Sequence, residues 1–443
     1  LMSFTSVLPL DAVFTKTETV SEHQIPALPA DCSAIKIELS ADSPAHKTAV
    51  FRCSVRQEGK DEVTTVPVRI TPPSTVALET FCSIQPGIPV QLRVERLPED
   101  PADECADPVQ ASSVTVSAVK PLAEPVTVEN TPGYNSWPMI AADSKELVCL
   151  YCRGLGHTIG DGDRNVFARR SFDLGRTWSD EISVSAQPEF GEVPVGKGND
   201  LNGNILFWVR CCGPVWPARY HALYRVTDGK FEEIARVHLN PEPMQITDIF
   251  TVPGVGLMSL WFATDYQKTG AWGVVTSSDN GLSWVQRTIG ADLPLADLPT
   301  EPSAVYLGDG RILAIARTEN GEKTTRRAQF QLESRDFGET WTCARTNIGE
   351  VFGSTPSLIY DSATGLVFNW YYQRGRGILR RRIAKVDDVF GHPLAWPESE
   401  AIALGGVYPW DAGNVNVVAM NGKQVAAWYS GLAPDTAIYT ATI

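Results

Sequence analysis

Residues 301–341 read EPSAVYLGDGRILAIARTENGEKTTRRAQFQLESRDFGETW. Two short apolar runs flank the turn Gly308-Asp309-Gly310, which is the composition of a β-hairpin. A third strand ends in the octet Ser334-Arg335-Asp336-Phe337-Gly338-Glu339-Thr340-Trp341, of the form S-x-D-x-G-x-T-W. The form returns as SFDLGRTW from Ser171 to Trp178 and, with a serine for the threonine, as SSDNGLSW from Ser277 to Trp284. Its chemistry is that of a turn. The aspartate accepts from nearby backbone N–H groups, glycine takes a positive φ, and the tryptophan packs between neighbouring strands. The octet is therefore structural and is expected away from any ligand.

Outward from this stretch an internal repeat appears. The apolar runs LVCLY, ILFW, LMSLW, ILAIA, LVFNWY and VAAW place Tyr151, Trp208, Trp261, Ala316, Tyr371 and Trp428 at spacings of 57, 53, 55, 55 and 57 residues. Six all-β units of this period predict blades of four strands each. The octets fall in the first, third and fourth units. A strand from near residues 124–130 is expected to complete the sixth blade, because a propeller whose ends are not joined exposes a free edge.

Residues 1–125 read as short alternating strands, among them AIKIELSA, AVFRCSVRQ, VQLRVERL and SVTVSAVK. This predicts a β-sandwich, open between a carbohydrate-binding and a structural module. The segment 120–132, with three prolines, is the linker. The propeller is expected over 126–443. Net charge is −14 with no offsetting basic stripe, which argues against a nucleic-acid role. No apolar run has membrane-spanning length. The opening LMSFTSVLPL lacks a basic region and a cleavage site and is not read as a signal peptide. The nine cysteines show no metal-ligand spacing and are read as buried thiols.

The octets, identified as Asp boxes (BNR repeats), and the six-unit period resemble the sialidase (neuraminidase) superfamily from about residue 134 onward. The resemblance implies a six-bladed propeller and a glycoside hydrolase acting on sialic acid or a related acidic sugar. It implies a sialylated or other acidic glycan as partner and no cofactor or metal. It also implies a secreted or surface-exposed protein, with a phage virion open. Glu301, before P-S-A-V, and Arg317, after ILAIA, resemble the family's active-site glutamate and a carboxylate-binding arginine. A carboxylate there suits a base, and an arginine fork suits a sugar carboxylate. In LVCLYCRGLGHTIGDGDRNVFARRS, Arg153 and Asp161 resemble an arginine and the acid/base aspartate, with Asp163 the competitor to Asp161. His157 in that loop is read as a ligand contact or a bystander. In NWYYQRGRGILRRRI, Arg376 resembles a further triad arginine, with Arg374 as runner-up, and Arg380, Arg381 and Arg382 are read mostly as a solvated outer strand.

Two departures follow from the same resemblance. Ser136 stands where the family's first arginine would be, and Asn414 where its nucleophilic tyrosine would be. Tyr408, six residues upstream, and Asp411 are candidates for binding substrate, Tyr408 only if its loop folds inward, and Arg210 is a substitute for the missing arginine. Without the tyrosine, Glu301 is expected to act directly, in a pattern that also resembles phage endosialidases. A non-hydrolytic lectin is the rival. Trp137, Trp216, Trp272, Tyr371, Tyr372 and Trp410 are candidates for stacking on sugar faces. Linkage, exo against endo action and oligomeric state stay open.

Overall fold

A computed structural model describes residues 5–14, 19–30, 32, 34–42, 49–64, 68–70, 78–97, 109–119, 122–159, 163–213, 220–318, 328–349, 354–374, 377–404, 411–432 and 435–443. The chain forms two compact units. The first is Leu1–Leu122 with Gly375–Ile378, and the second is Ala123–Arg374 with Leu379–Ile443. Among the described residues every strand pair of the first unit is antiparallel. One sheet joins Thr5–Phe14, Val109–Val119, Ala34–Asp42 and Leu78–Ser83 in that order. The other joins Val20–Ile25, Val90–Leu97 and Ala49–Arg56, with two short strands on its edge. Val90–Leu97 alternates buried and half-buried residues, as its VQLRVERL sequence requires.

The second unit holds six four-stranded blades, and single parallel bridges, Tyr134 to Thr436 and Gly198 to Ile249, join two pairs of them into eight-stranded sheets. Their inner strands are Tyr134–Ala142, Gly191–Asn199, Gln245–Val252, Pro299–Gly308, Ser357–Asp361 and Ala412–Met420. Each touches the next in chain order, and the last touches the first, so the sheets close into a ring. The repeating apolar runs are the second strands. Tyr151, Trp208, Trp261, Ala316, Tyr371 and Trp428 lie there fully buried, wedged between adjacent blades. A run of consecutive buried residues, rather than strict alternation, follows because both faces of each blade pack on a neighbour.

The sixth blade is completed by Val126–Glu129, which pairs antiparallel with Asp435–Thr442 at the C-terminus. Glu129 anchors that closing strand. Its Oε2 accepts Arg169 Nη2 at 2.7 Å, Arg169 Nε at 3.0 Å and Tyr151 Oη at 2.8 Å. Arg153 Nη2 stands 3.5 Å away.

The three octets fold alike. Ser171, Ser277 and Ser334 end the third strands of blades one, three and four. Each hydroxyl donates to the aspartate two residues on and accepts the N–H of the glycine four residues on, at 2.8–2.9 Å. None lines the axial cavity described below. Ser277 is buried, so Ser277→Ala strands the Gly281 N–H. A loss of about 1–3 kcal/mol in unfolding free energy is expected, read from denaturant melts, with activity unchanged.

One expectation is corrected. Arg380, Arg381 and Arg382 are not a solvated strand: Arg380 and Arg382 are buried. Arg380 Nε reaches Gln373 Oε1 at 2.7 Å, Arg381 Nε reaches Glu400 Oε1 at 2.7 Å, and Arg382 Nε reaches Tyr371 Oη at 3.0 Å. The strand carrying them is the third of blade five, with a fourth outside it. Of the described cysteines, Cys32, Cys53, Cys149, Cys152, Cys211 and Cys212 are buried free thiols and Cys343 is exposed. Among the described residues no helix is long and apolar enough to cross a membrane.

Candidate active site

The site begins with a defect in the ladders. The inner strand of blade one slips against its neighbour between Ser136 and Met139, that of blade four between Thr300 and Ser303, and that of blade six between Gly413 and Asn416. At each slip a non-glycine residue has a positive φ: Trp137 at 49°, Glu301 at 45° and Asn414 at 50°. Such a conformation costs about 1–3 kcal/mol per residue unless the surroundings impose it. A bulge leaves its residue outside the pairing and re-aims the side chain. All three side chains line one cavity of about 600 Å³ at the axis.

Glu301 is buried at 8% exposure, and both oxygens are engaged. Oε2 accepts Arg317 Nη1 at 2.8 Å and lies 2.7 Å from Thr355 Oγ1; Oε1 accepts Gln245 Nε2 at 3.1 Å. Thr355 Oγ1 also lies 2.8 Å from Asn414 Oδ1, so its single proton serves either the carboxylate or the amide. Burial acts to raise the Glu301 carboxyl. The Arg317 charge, with the bonds from Thr355, Arg317 and Gln245, outweighs it and holds the group below the usual glutamate value. Glu301 is thus a carboxylate, fit to be a base.

Two further arginines line the cavity. Arg210 is buried and donates through Nη1 to the Met244 carbonyl at 2.9 Å. Arg374 donates through Nε to the Ala412 carbonyl at 3.0 Å, and among the described residues no carboxylate forms an ion pair with it. Three cationic side chains from blades two, four and five therefore meet in a chain of net charge −14. Deeper on the axis stands Asp248, whose Oδ2 accepts the Ser303 hydroxyl. Burial pushes its carboxyl up despite the charge of Lys197. Burial likewise pushes Lys197 down, and its Nζ donates to the Val417 carbonyl at 2.6 Å. Among the described residues, no cluster of His, Cys, Asp and Glu is arranged to hold a metal.

Of the residues singled out from sequence, Glu301, Arg317, Arg374, Arg210 and Trp137 come together in this cavity. Arg210 sits on the second strand of blade two, Ile205–Cys212. Several expectations are corrected. Arg153 does not line the cavity: Glu181 grips it at 2.6 and 3.1 Å, Asn135 accepts its Nε at 2.8 Å, and its guanidinium lies over Phe167. Asp163 is exposed and caps the Glu189 N–H at 2.6 Å, a turn role. Asp411 stands behind the cavity wall, accepting from Tyr134 at 2.6 Å and Tyr429 at 3.1 Å. Asp161, Arg376, Tyr408, Trp216 and Trp410 lie outside the described residues. Trp272, Tyr371 and Tyr372 are core residues, which removes them as stacking platforms.

Sequence reasoning missed Asp248, Thr355 and Arg164. Thr355-Pro356 repeats the Glu301-Pro302 pattern one blade on, which was a usable signal. Arg164 had none. Its fully buried guanidinium lies 4.7 Å over Trp137, with Nη1 3.5 Å from Ser136 Oγ. The small Ser136 side chain leaves that space open. Gly154 does the same: a Cβ there would stand 2.9 Å from Arg164 Cζ.

Six blades around an axial cavity make the second unit a β-propeller. Comparison with solved structures gives its kind. The chain is similar to bacterial NanB, solved with Optactamide (TM-score 0.56, 10% identity, 99% of this chain and 98% of that one). It is similar to phage phi92 endosialidase (TM-score 0.53, 12% identity, 73% and 69%). It is also similar to Trypanosoma rangeli sialidase in complex with the inhibitor DANA (TM-score 0.51, 12% identity, 72% and 57%), so it spans little more than half of that protein. No family model matches the chain, and no curated protein matches it by sequence. The chain shares the fold of these sialidases and of the endosialidase.

Proposed function

We propose that the protein is a sialidase-like glycoside hydrolase that releases sialic acid or a related acidic sugar from glycans. The observation that carries this reading is the convergence of Arg210, Arg317 and Arg374 beside the buried carboxylate of Glu301. Guanidinium groups in a recessed site bind a carboxylate strongly because water competes poorly there. Trp137 offers an aromatic wall to a sugar face. Arg376 is a further candidate for the same anion. The octets are Asp boxes in this reading, and the setting is extracellular or a phage particle.

By the family resemblance Asn414 stands in the place of a tyrosine, and its Oδ1 accepts from Thr355 Oγ1 at 2.8 Å. Glu301 therefore activates water directly. The acid comes from the loop 155–163, where Asp161 is the residue indicated by family resemblance. An inverting reaction places the two catalytic groups about 6.5–9.5 Å apart, so that water fits between them. A glycosyl adduct trapped on Tyr408 overturns the direct route.

One observation favours the lectin instead: both Glu301 oxygens are already used in holding Arg317, Gln245 and Thr355. Products measured from a panel of sialylated oligomers and polymers, beside a glycan-binding array, decide between the two. Arg374→Ala is expected to weaken acidic-glycan binding by about 2–5 kcal/mol if the contact is desolvated. Binding that ignores the carboxylate, in wild type and variant alike, rejects the anion site.

A further inference from the structure

The loop that leaves the second strand of blade one brings His157 to the cavity wall, and its imidazole is anchored through one nitrogen. Nδ1 lies 2.7 Å from Tyr134 Oη and 3.3 Å from Asp411 Oδ1. Tyr134 donates its own proton to Asp411 at 2.6 Å, and Tyr429 donates to the same oxygen at 3.1 Å. With its proton committed to Asp411, the Tyr134 oxygen is left to accept, so Nδ1 carries a hydrogen. Proton exchange then falls to Nε2. Tyr134 itself is fully buried and cannot reach a ligand.

The setting fixes the ring from its other sides. Trp137 meets it edge-on with centroids 5.4 Å apart. Arg164, beneath Trp137, donates to the carbonyls of Gly156 and Thr158, the residues on either side of His157. Among the described residues, the charged and titratable groups around the imidazole are Asp411, Tyr134 and, through Asp411, Tyr429, with Arg164 on the loop backbone.

The geometry points to His157 as the general acid of the hydrolysis proposed above, with Asp411 and Tyr134 as positioning residues. The inference rests on that hydrolase reading and gives its acid a different identity. In the step, the Nε2–H bond of the imidazolium breaks as an O–H bond forms on the departing sugar oxygen, which takes the electron pair of the anomeric C–O bond. Water attacks the anomeric carbon and loses a proton to Glu301. One water is consumed. His157 ends neutral and Glu301 protonated, and transfer of that proton back through solvent restores both.

The test uses the full chain and two substrates. A sialoside of lactose has an alkyl leaving group that needs a proton; a 4-nitrophenyl sialoside has one that does not. His157→Asn is expected to lower kcat/KM about 10²–10³-fold on the lactose sialoside and less than about tenfold on the nitrophenyl one. Asp411→Asn is expected to give a smaller loss with the same leaving-group preference. The His157 side chain is 59% exposed, so the fold tolerates its replacement, and His157→Gln repeats the test with a longer amide. Equal losses on both substrates, no loss on either, or the leaving-group signature at Asp161→Asn instead, overturns the assignment alone. Wild type inert towards both substrates overturns the hydrolase reading and this assignment with it.

Discussion

Glu301→Gln is expected to lower kcat about 10²–10⁴-fold while leaving KM within about threefold of wild type. The amide reproduces the shape of the acid, and the network around it can be conserved. Its carbonyl oxygen, placed as Oε2, still accepts from Arg317 and Thr355. Its NH₂ then faces Gln245, whose own amide turns over to present oxygen. What is lost is the proton site. Wild type should keep turning over into acid: the Glu301 carboxyl is held below its ordinary 4.5, so the acid limb of kcat/KM falls below that pH. The same shift has a stability sign. A carboxyl whose folded value is depressed adds stability that is present above about pH 4.5 and is lost as pH falls through the folded value. Full turnover in Glu301→Gln removes Glu301 from the chemistry. An acid limb well above 4.5 that persists in the variant belongs to another group.

Glu129→Ala is expected to destabilise the propeller by about 3–5 kcal/mol. Glu129 is 2% exposed and receives Arg169 twice, Tyr151 once and the Thr131 N–H at 2.7 Å. Removing it leaves the Arg169 guanidinium short of its counter-charge and strips the closing strand of its side-chain anchor. That strand is only four residues long, so backbone pairing alone holds it weakly. All twelve tryptophans lie between Trp137 and Trp428, so their fluorescence in denaturant reports the propeller and not the first unit. Adding Arg169→Met to Glu129→Ala should recover part of the loss, because the orphaned charge leaves with its partner. A midpoint unchanged in Glu129→Ala, or a double variant no better than the single, places the closure elsewhere.

The sequence by itself determined the propeller. A 55-residue period of apolar runs is a repeated demand for a buried second strand, and a four-stranded blade meets it only by packing on copies of itself. The octets were equally legible, because Ser, Asp and Gly satisfy their turn through bonds within eight residues. The completion of blade six near residues 124–130 followed from the cost of an open edge. Glu301 and Arg317 were legible because they flank one hairpin, sixteen positions apart.

The rest of the site was decided by tertiary structure, since it joins residues that no local pattern relates. Arg153 and Arg164 are both arginines of blade one, and composition cannot rank them. Only the packing shows Glu181 and Asn135 holding the first away from the axis and the second buried beneath Trp137. The bulges at Trp137, Glu301 and Asn414 are likewise invisible in sequence, because nothing in these side chains favours a positive φ except weakly in asparagine. At all three the ladder slips, and the three side chains line one cavity. His157 and Asp411 are 254 positions apart. Their pairing exists because the last inner strand returns beside the first, a contact that the ring's closure alone creates.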